Sequence, residues 1–577
     1  MTEFHLWAPF AQTVQLRLEG SLLAMQPLER GWWSLKAADA SPGMDYWYVL
    51  DGGDPVPDPR SPWQPLGVHG PSRVVDHSAF AWTDQRWQAP PLSSAVLYEL
   101  HVGTFTGEGT FDSAAKRLGY LASLGITHVE LMPVNEFPGE WGWGYDGVDL
   151  FAPHHAYGGP DGLKRLVDAC HAAGLAVVLD VVYNHLGPSG NYLARFGPYF
   201  TARYSTPWGP AVNLDGAGST EVRRFLCDNA LLWLRDYHFD GLRIDAVHAI
   251  FDSSAVHFLE QLASEITTLE ARVGRHLVLI AESDLNDPRL VTSQEAGGYG
   301  LHAQWNDDFH HALHAVLTPE RTGYYADFGS FADLAKALKN AFVYDGRYSV
   351  FRNRNHGRKP VNLSGSRFVG FLQNHDQTGN RAQGERSSML MSVERLKVGA
   401  ALVLCAPFIP MLFQGEECGA TTPFQYFTNH KDAELGRAVS AGRRSEFAAF
   451  GWRPEDIPDP QDAATFLRSK LAGIRPENEP QACLIEWHRR LIGLRRAEPD
   501  LTDGRLDRVD VQYSEEQRWL ALRRGAITLV CNLHAEGREI PLPSPGTLIL
   551  SSSTGCVTSG RSVVLPPDSV AVLKDGA

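Results

Sequence analysis

Arg243 and Asp245 stand two residues apart in the short stretch Gly241-Leu-Arg-Ile-Asp245. On a strand that spacing turns both side chains to one face. An aspartate beside a fixed guanidinium stays ionised, as a nucleophilic carboxylate must; a purely structural Arg–Asp pair is the competing reading. Glu282 closes the apolar stretch Leu277-Val-Leu-Ile-Ala281. Burial there beside other carboxylates would raise its pKa into the range of a general acid near neutral pH, although an acid in this position could equally cap a helix or face solvent. Asp376, after Asn374 and His375, offers either a third carboxylate or the cap of the next helix. His185 and His375, taken singly, are more often satisfied core histidines than ligands.

No HExxH and no His/Cys grouping with metal spacing occurs, which leaves zinc chemistry without support. A Ser–His–Asp mechanism lacks its G-x-S-x-G turn. Two carboxylates acting across a scissile bond remain, and that chemistry is glycoside hydrolysis. The aromatic loop Trp141-Gly-Trp-Gly-Tyr145 and Trp208 agree with it, because flat rings on loops can stack on the apolar faces of sugars.

Such groups need a frame that gathers them. Eight short apolar runs occur, at 96–102, 128–134, 176–183, 241–247, 277–282, 303–308, 368–374 and 410–414. Amphipathic helical stretches separate most of them. One is Leu163, Leu166, Val167 and Cys170, with Asp161 placed to cap its start and Gly174 to end it. Continuous apolar strands alternating with helices predict an α/β fold, a (β/α)8 TIM barrel. An open doubly wound sheet is second choice, since no Gly-rich phosphate turn follows an early strand. The polar residues follow the runs, where a barrel keeps its active site.

Period-two alternation marks both ends of the chain. Val14–Leu18 and Tyr46–Leu50, with Gly/Pro turns between, predict an N-terminal β-sandwich over residues 1–90. Trp519–Leu522, Ile527–Val530 and Ser562–Leu565 predict a small C-terminal β-domain over 501–577. The barrel takes 91–500.

Lys and Arg number 52 against 67 Asp and Glu, a net charge of −15, with no dense basic block. Nucleic acid and anionic membrane surfaces both require clustered Lys and Arg, so neither partner is expected. Met1–Phe10 shows no basic region ahead of an apolar stretch, and no secretory signal is expected. The run Val398–Phe413, interrupted by two prolines, reads as a buried helix entering a strand. Seven cysteines without CxxC spacing read as reduced thiols of a cytoplasmic protein.

Together the motifs resemble the conserved regions of the α-amylase family of retaining glycosidases. Asp180-Val-Val-Tyr-Asn-His185 is similar to its first region, Gly241–Asp245 to its second, Ala281-Glu-Ser283 to its third and Asn374-His-Asp376 to its fourth. The resemblance implies Asp245 as nucleophile, Glu282 as general acid/base and Asp376 as the carboxylate that grips sugar hydroxyls. It further implies Arg243 beside Asp245, hydrogen bonds from His185 and His375 to the sugar, and Tyr145 stacked under it. Trp208, Asp307 and Gln377 are placed near substrate by position only. Leu6-Trp-Ala-Pro9 with Val14 and Leu16 resembles the N-terminal sandwich of branching and debranching members.

The segment after the third run, 186–219, is a reduced form of the domain that protrudes from ordinary amylases. Asn184 resembles a calcium ligand of those enzymes, but that site also draws on the protrusion, so no metal or cofactor is expected. Further clusters, Glu282–Pro288, Gln304–His311, Asn374–Arg381, Gly442–Phe447 and Phe450–Trp452, are most similar to the maltooligosyltrehalose trehalohydrolase branch. That branch implies release of trehalose from maltooligosyltrehalose, in a pathway with maltooligosyltrehalose synthase, and a lid-like insertion over 423–477. Glycogen branching is the alternative activity. A non-catalytic glucan-binding scaffold would be expected to have lost one of the three acids.

Overall fold

The computed structural model describes residues 2–446, 452–471 and 480–576. Phe447, Phe450, Gly451 and the 472–477 end of the expected insertion lie outside them. At the centre eight parallel strands form a closed barrel: β1 (Leu97–Leu100), β2 (His128–Leu131), β3 (Ala176–Val181), β4 (Gly241–Ile244), β5 (Val278–Ala281), β6 (Ala303–Trp305), β7 (Phe368–Phe371) and β8 (Ile409–Phe413). Each lies within or against one of the eight apolar runs. Met411 of β8 pairs with Leu97 of β1, and this closure excludes the open sheet.

Every residue of these strands is buried, because helices cover the outside and side chains fill the inside. Val178, Ile280, Trp305, Phe371 and Met411 belong to one inner apolar cluster. The helix Gly159–Ala172 buries Leu163, Leu166, Val167 and Cys170, as their spacing predicts. Its start differs from expectation: Gly158, not Asp161, holds the cap position, and Pro160 follows at the first turn. Asp161 lies within that turn, where a carboxylate favours the positive end of the helix dipole. Gly174 takes a positive φ of 77° just beyond the helix end.

Val393–Cys405 is a helix leading to β8, and no described helix is long and apolar enough to cross a membrane. None of the seven cysteines is bonded to another.

Two antiparallel sheets within residues 2–73, of three and four strands, form the sandwich. Ion pairs fasten it to the barrel helix Ser219–Arg235, Arg30 to Glu221 at 2.6 Å and Arg60 to Asp228 at 2.8 Å. At the other end, a five-stranded and a three-stranded sheet span Val509–Asp575. Arg395–Asp568 at 3.0 Å joins them to the barrel. After β3 the chain forms the short helix Leu193–Phe196 and a hairpin, Phe200–Thr206 with Gly209–Val212, that carries Trp208 at its tip. After β8 come the helices Ala433–Glu446 and Ala463–Ser469.

Ile280, fully buried inside the barrel, gives a direct check on the packing. Ile280→Ala is expected to cost about 2–5 kcal/mol, read as a lower denaturation midpoint of the barrel. An unchanged midpoint would contradict a close-packed barrel interior.

Candidate active site

Strand register sets the central contact. Asp180 on β3 and Arg243 on β4 are register partners, and the Arg243 side chain is wholly buried. Its Nη1 lies 2.6 Å from Asp180 Oδ2 and 2.9 Å from Asp245 Oδ1, while Nη2 lies 3.4 Å from Glu282 Oε2. The guanidinium rests over Trp305 of β6, 4.2 Å from the ring centroid, so the buried cation also gains from the aromatic face. Burial alone would favour loss of its proton, but Asp180, Tyr145, Glu282 and Asp245 outweigh it and keep the group charged.

Both oxygens of Asp245 accept hydrogen bonds. Arg243 supplies one, and Asn184 Nδ2 donates to the other at 2.8 Å and to the Asp245 carbonyl at 2.9 Å. Asn184, which resembles a calcium ligand in sequence, here orients the acid on β4. Ala246 follows with φ 39° and ψ 52°, a left-handed conformation that costs a non-glycine residue about 1–3 kcal/mol. That turn aims the Ala246 N–H at Glu282 Oε2, 2.5 Å away. Glu282 neither caps a helix nor faces solvent; its side chain is 15% exposed. Burial, with the charges of Asp245, Asp376 and Asp307, pushes its pKa well above the usual carboxylate range against the pull of Arg243. The shift favours the protonated carboxyl, the direction a general acid requires.

Asn374 caps the short helix His375–Gly379, accepting from Gln377 N at 2.7 Å, so Asp376 is not the cap. His375 Nδ1 hydrogen-bonds Glu99 Oε1, and its backbone N–H donates to the other oxygen of that acid at 3.0 Å. Its Nε2 lies 2.8 Å from the Tyr145 hydroxyl, which donates in turn to Asp180 at 2.6 Å. Burial pulls the His375 pKa down, but the Glu99 and Asp376 charges prevail and raise it to about 9. Burial also raises Asp180, to about 6 despite Arg243.

His185 is engaged at both ring nitrogens, Nδ1 with Asn184 Oδ1 and Nε2 with the Tyr145 carbonyl at 3.0 Å. Trp208, half exposed, stacks on it at 4.5 Å.

Tyr145, His185, Trp208, Asp245, Glu282, His375 and Asp376 border one cavity of about 420 Å³ where the strands end. Arg243 is not itself a bordering residue; it lies buried behind Asp245 and Glu282, which are. The loop after β4 adds Ala246 and His248, and the segment after β8 adds Tyr426, Val439 and Arg443. Cavities of about 550 and 890 Å³ elsewhere are larger but lie against the two flanking β-domains, away from the strand ends. Asp307 and Gln377 are not among the bordering residues. Asp307 opens the helix Asp307–Leu317, and burial beside Asp284 and Asp376 pushes its pKa up to about 8. The Gln377 Oε1 is buried without a hydrogen-bond partner.

Sequence reasoning passed over Glu99 and Asp180 as site residues, although an acid inside an apolar strand was a legible signal for both. Ala246 carried none, and Arg443 stood out only as part of the Gly442–Phe447 cluster, with no partner or role legible. Among the described residues, Glu136, His154 and His155 are the group spaced to hold a metal ion. The two Glu136 oxygens already accept from the His155 backbone at 2.8 Å and its Nδ1 at 2.7 Å.

The chain matches the model of the alpha amylase catalytic domain over residues 80–202, and that of a domain of unknown function, DUF3459, over 504–572. Malto-oligosyltrehalose trehalohydrolase of Rhizobium sp. (strain M-11) is 50% identical over 99% of this chain and 97% of its own length. The crystal structure of a Salmonella typhimurium protein described as an alpha amylase superposes with TM-score 0.90 at 41% identity, covering 99% of this chain and 97% of that one. A 1,4-alpha-glucan branching enzyme, GlgB of Vibrio parahaemolyticus, is 34% identical but aligns with 53% of this chain and 46% of its own.

The His375–Glu99 pair predicts a pH dependence. Because the folded pKa is raised, the pair stabilises fully below the unfolded imidazole's ordinary range and is lost as pH rises through about 9. Glu99→Gln removes the anion, so the ring titration followed by NMR moves to lower pH. Titration still near 9 in that variant would refute the assignment of the shift to Glu99.

Proposed function

Because the chain belongs to the malto-oligosyltrehalose trehalohydrolase family of α-amylase-type glycoside hydrolases, we propose that it cuts the α-1,4 glucosidic bond beside the terminal trehalose of maltooligosyltrehalose. The observation that carries this reading is the buried Arg243 touching both Asp245, whose oxygens each accept a hydrogen bond, and Glu282, whose carboxyl is driven toward its protonated form. One acid is prepared to attack and the other to give a proton.

In the reaction, Asp245 forms a bond to the anomeric carbon while Glu282 donates its proton to the bridging oxygen, and trehalose leaves. Glu282, now a carboxylate, takes a proton from water. That water attacks the anomeric carbon, the bond to Asp245 breaks, and the configuration is retained. Asp376, on the cavity wall, grips hydroxyls of the same sugar. Tyr145 and the half-exposed Trp208 offer faces for stacking. His375 reaches the sugar as a cation shared with Tyr145, whereas His185 must exchange a protein contact to do so. Asp307 and Gln377 both lie outside the cavity lining, and nothing in the cavity supports substrate contact by either.

The proposed division is a sandwich over 1–90, the barrel over 91–500 with insertions at 186–219 and 423–477, and a C-terminal β-domain over 501–577. The chain works in the cytoplasm, which its free cysteines suit. An enzyme that builds the terminal trehalose linkage, a maltooligosyltrehalose synthase, supplies the substrate. Branching is disfavoured because the branching relative aligns with only about half the chain.

Maltooligosyltrehalose and plain maltooligosaccharide, incubated side by side, are expected to give free trehalose from the first and slow turnover of the second. Equal turnover of both, or new branch points in amylose, would overturn the reading. Asp245→Asn should abolish turnover in a folded protein. Glu282→Gln should lower kcat by roughly 10²–10⁴-fold, and proton NMR should show the new reducing end first as the α-anomer.

A further inference from the structure

We propose that the helix Ala433–Glu446, carried by the segment after β8, belongs to the reaction centre, with Arg443 as a positioning residue that sets Asn380 and through it Asp376. The inference deepens the hydrolytic reading above and rests on it.

Asp376 is the least constrained of the three acids. Its side chain is 35% exposed, against 11% for Asp245 and 15% for Glu282. Where Asp245 is held by a guanidinium and an amide, Asp376 has His375 Nε2 at 3.5 Å and Asn380 Nδ2 at 3.3 Å. A carboxylate that must meet sugar hydroxyls within a fraction of an ångström needs a better-defined neighbour, and Asn380 is one only if its amide is fixed.

Arg443 fixes it. Its buried guanidinium donates from Nη1 to Asn380 Oδ1 at 2.9 Å and from Nη2 to the Gly379 carbonyl at 2.5 Å, and it packs over Tyr426 at 4.7 Å. Arginine is a donor only, so it accepts no arrangement except the amide oxygen toward itself. The Asn380 NH₂ group is thereby turned to Asp376. Without that donor the amide is free to rotate by half a turn, which would set its oxygen against the carboxylate. The turn is braced from the other side as well: a Cβ on Gly379 would lie 2.1 Å from the Trp143 ring, and Trp143 Nε1 donates to the Gln425 carbonyl at 2.9 Å. Gly379 and Asn380 are thus clamped between the loop after β2 and the segment after β8.

Val439 and Arg443 border the same cavity as Asp376, so this helix is also a wall of the pocket. Glu282 protonates the leaving sugar from β5. Arg443 acts through Asn380 beside Asp376, and its effect falls on the sugar that stays bonded to Asp245. An acid whose grip tightens as that sugar distorts contributes to kcat more than to KM.

Full-length wild type, Arg443→Ala, Arg443→Lys, Asn380→Ala and the double alanine variant are to be compared on maltooligosyltrehalose. Arg443→Ala is expected to lower kcat about 10–100-fold while KM stays within about threefold. Asn380→Ala should do the same, the double variant should be no worse than the weaker single one, and Arg443→Lys should recover part of the loss. Wild-type kcat in Arg443→Ala, a loss confined to KM, or losses that multiply in the double variant would overturn the proposal. Should Arg443→Ala fail to fold by circular dichroism, Asn380→Ala decides, and full kcat there is equally fatal. If wild type releases no trehalose, the hydrolytic reading fails separately, and the same ratios are taken on whichever α-glucan it does cleave.

Discussion

A guanidinium with no access to water is the constraint around which this site is built. Arg243 is expensive to bury, and it persists because three carboxylates, from β3 and from the ends of β4 and β5, converge on it over the face of Trp305. Removing any one anion leaves charge uncompensated in a medium of low polarity. The same cation touches two acids of similar intrinsic strength at unequal distances. Asp245 receives a short, direct contact and a second donor from Asn184. Glu282 is buried, farther from the guanidinium and faced by three other carboxylates, so its pKa is pushed up.

The second charge system has the reverse composition. Glu99, deep in β1, holds His375 as a cation, and His375 reaches Tyr145, which reaches Asp180 and so returns to Arg243. Two buried cations thus serve a ring of acids contributed by β1, β3, β4, β5 and the loop after β7. The left-handed Ala246 shows where the backbone accepts strain to complete it: one unfavourable residue directs an N–H at the Glu282 carboxyl.

The barrel supplies rigidity, and the loops supply the pocket. Strand ends hold Arg243, Asp245 and Glu282 to the geometry of a hydrogen-bonded ladder. Asp376, Trp208, Tyr426 and Arg443 come from connecting segments, each tied down by packing or by a neighbour's donor. Loops have freedom to shape specificity for that reason, and the clamp on Gly379–Asn380 shows how a distant segment restores the precision that a loop lacks.

Much of this was written in the residue order. Eight apolar runs fixed the number of strands, because a strand buried on both faces must be apolar throughout, and acids following such runs marked the cavity rim at 245 and 282. The Arg–Asp spacing, two residues along a strand, places both side chains on one face, where they meet. Partners remote in sequence were not legible. Glu99 lies 276 residues from His375 and Arg443 lies 63 from Asn380, and no local pattern encodes contacts made by closing β8 onto β1 or by packing residues after β8 against the cavity. Local propensity follows from neighbouring residues. Protonation, side-chain orientation and the choice between a cap and a working acid follow from what the chain packs beside them, and only the folded barrel decides that.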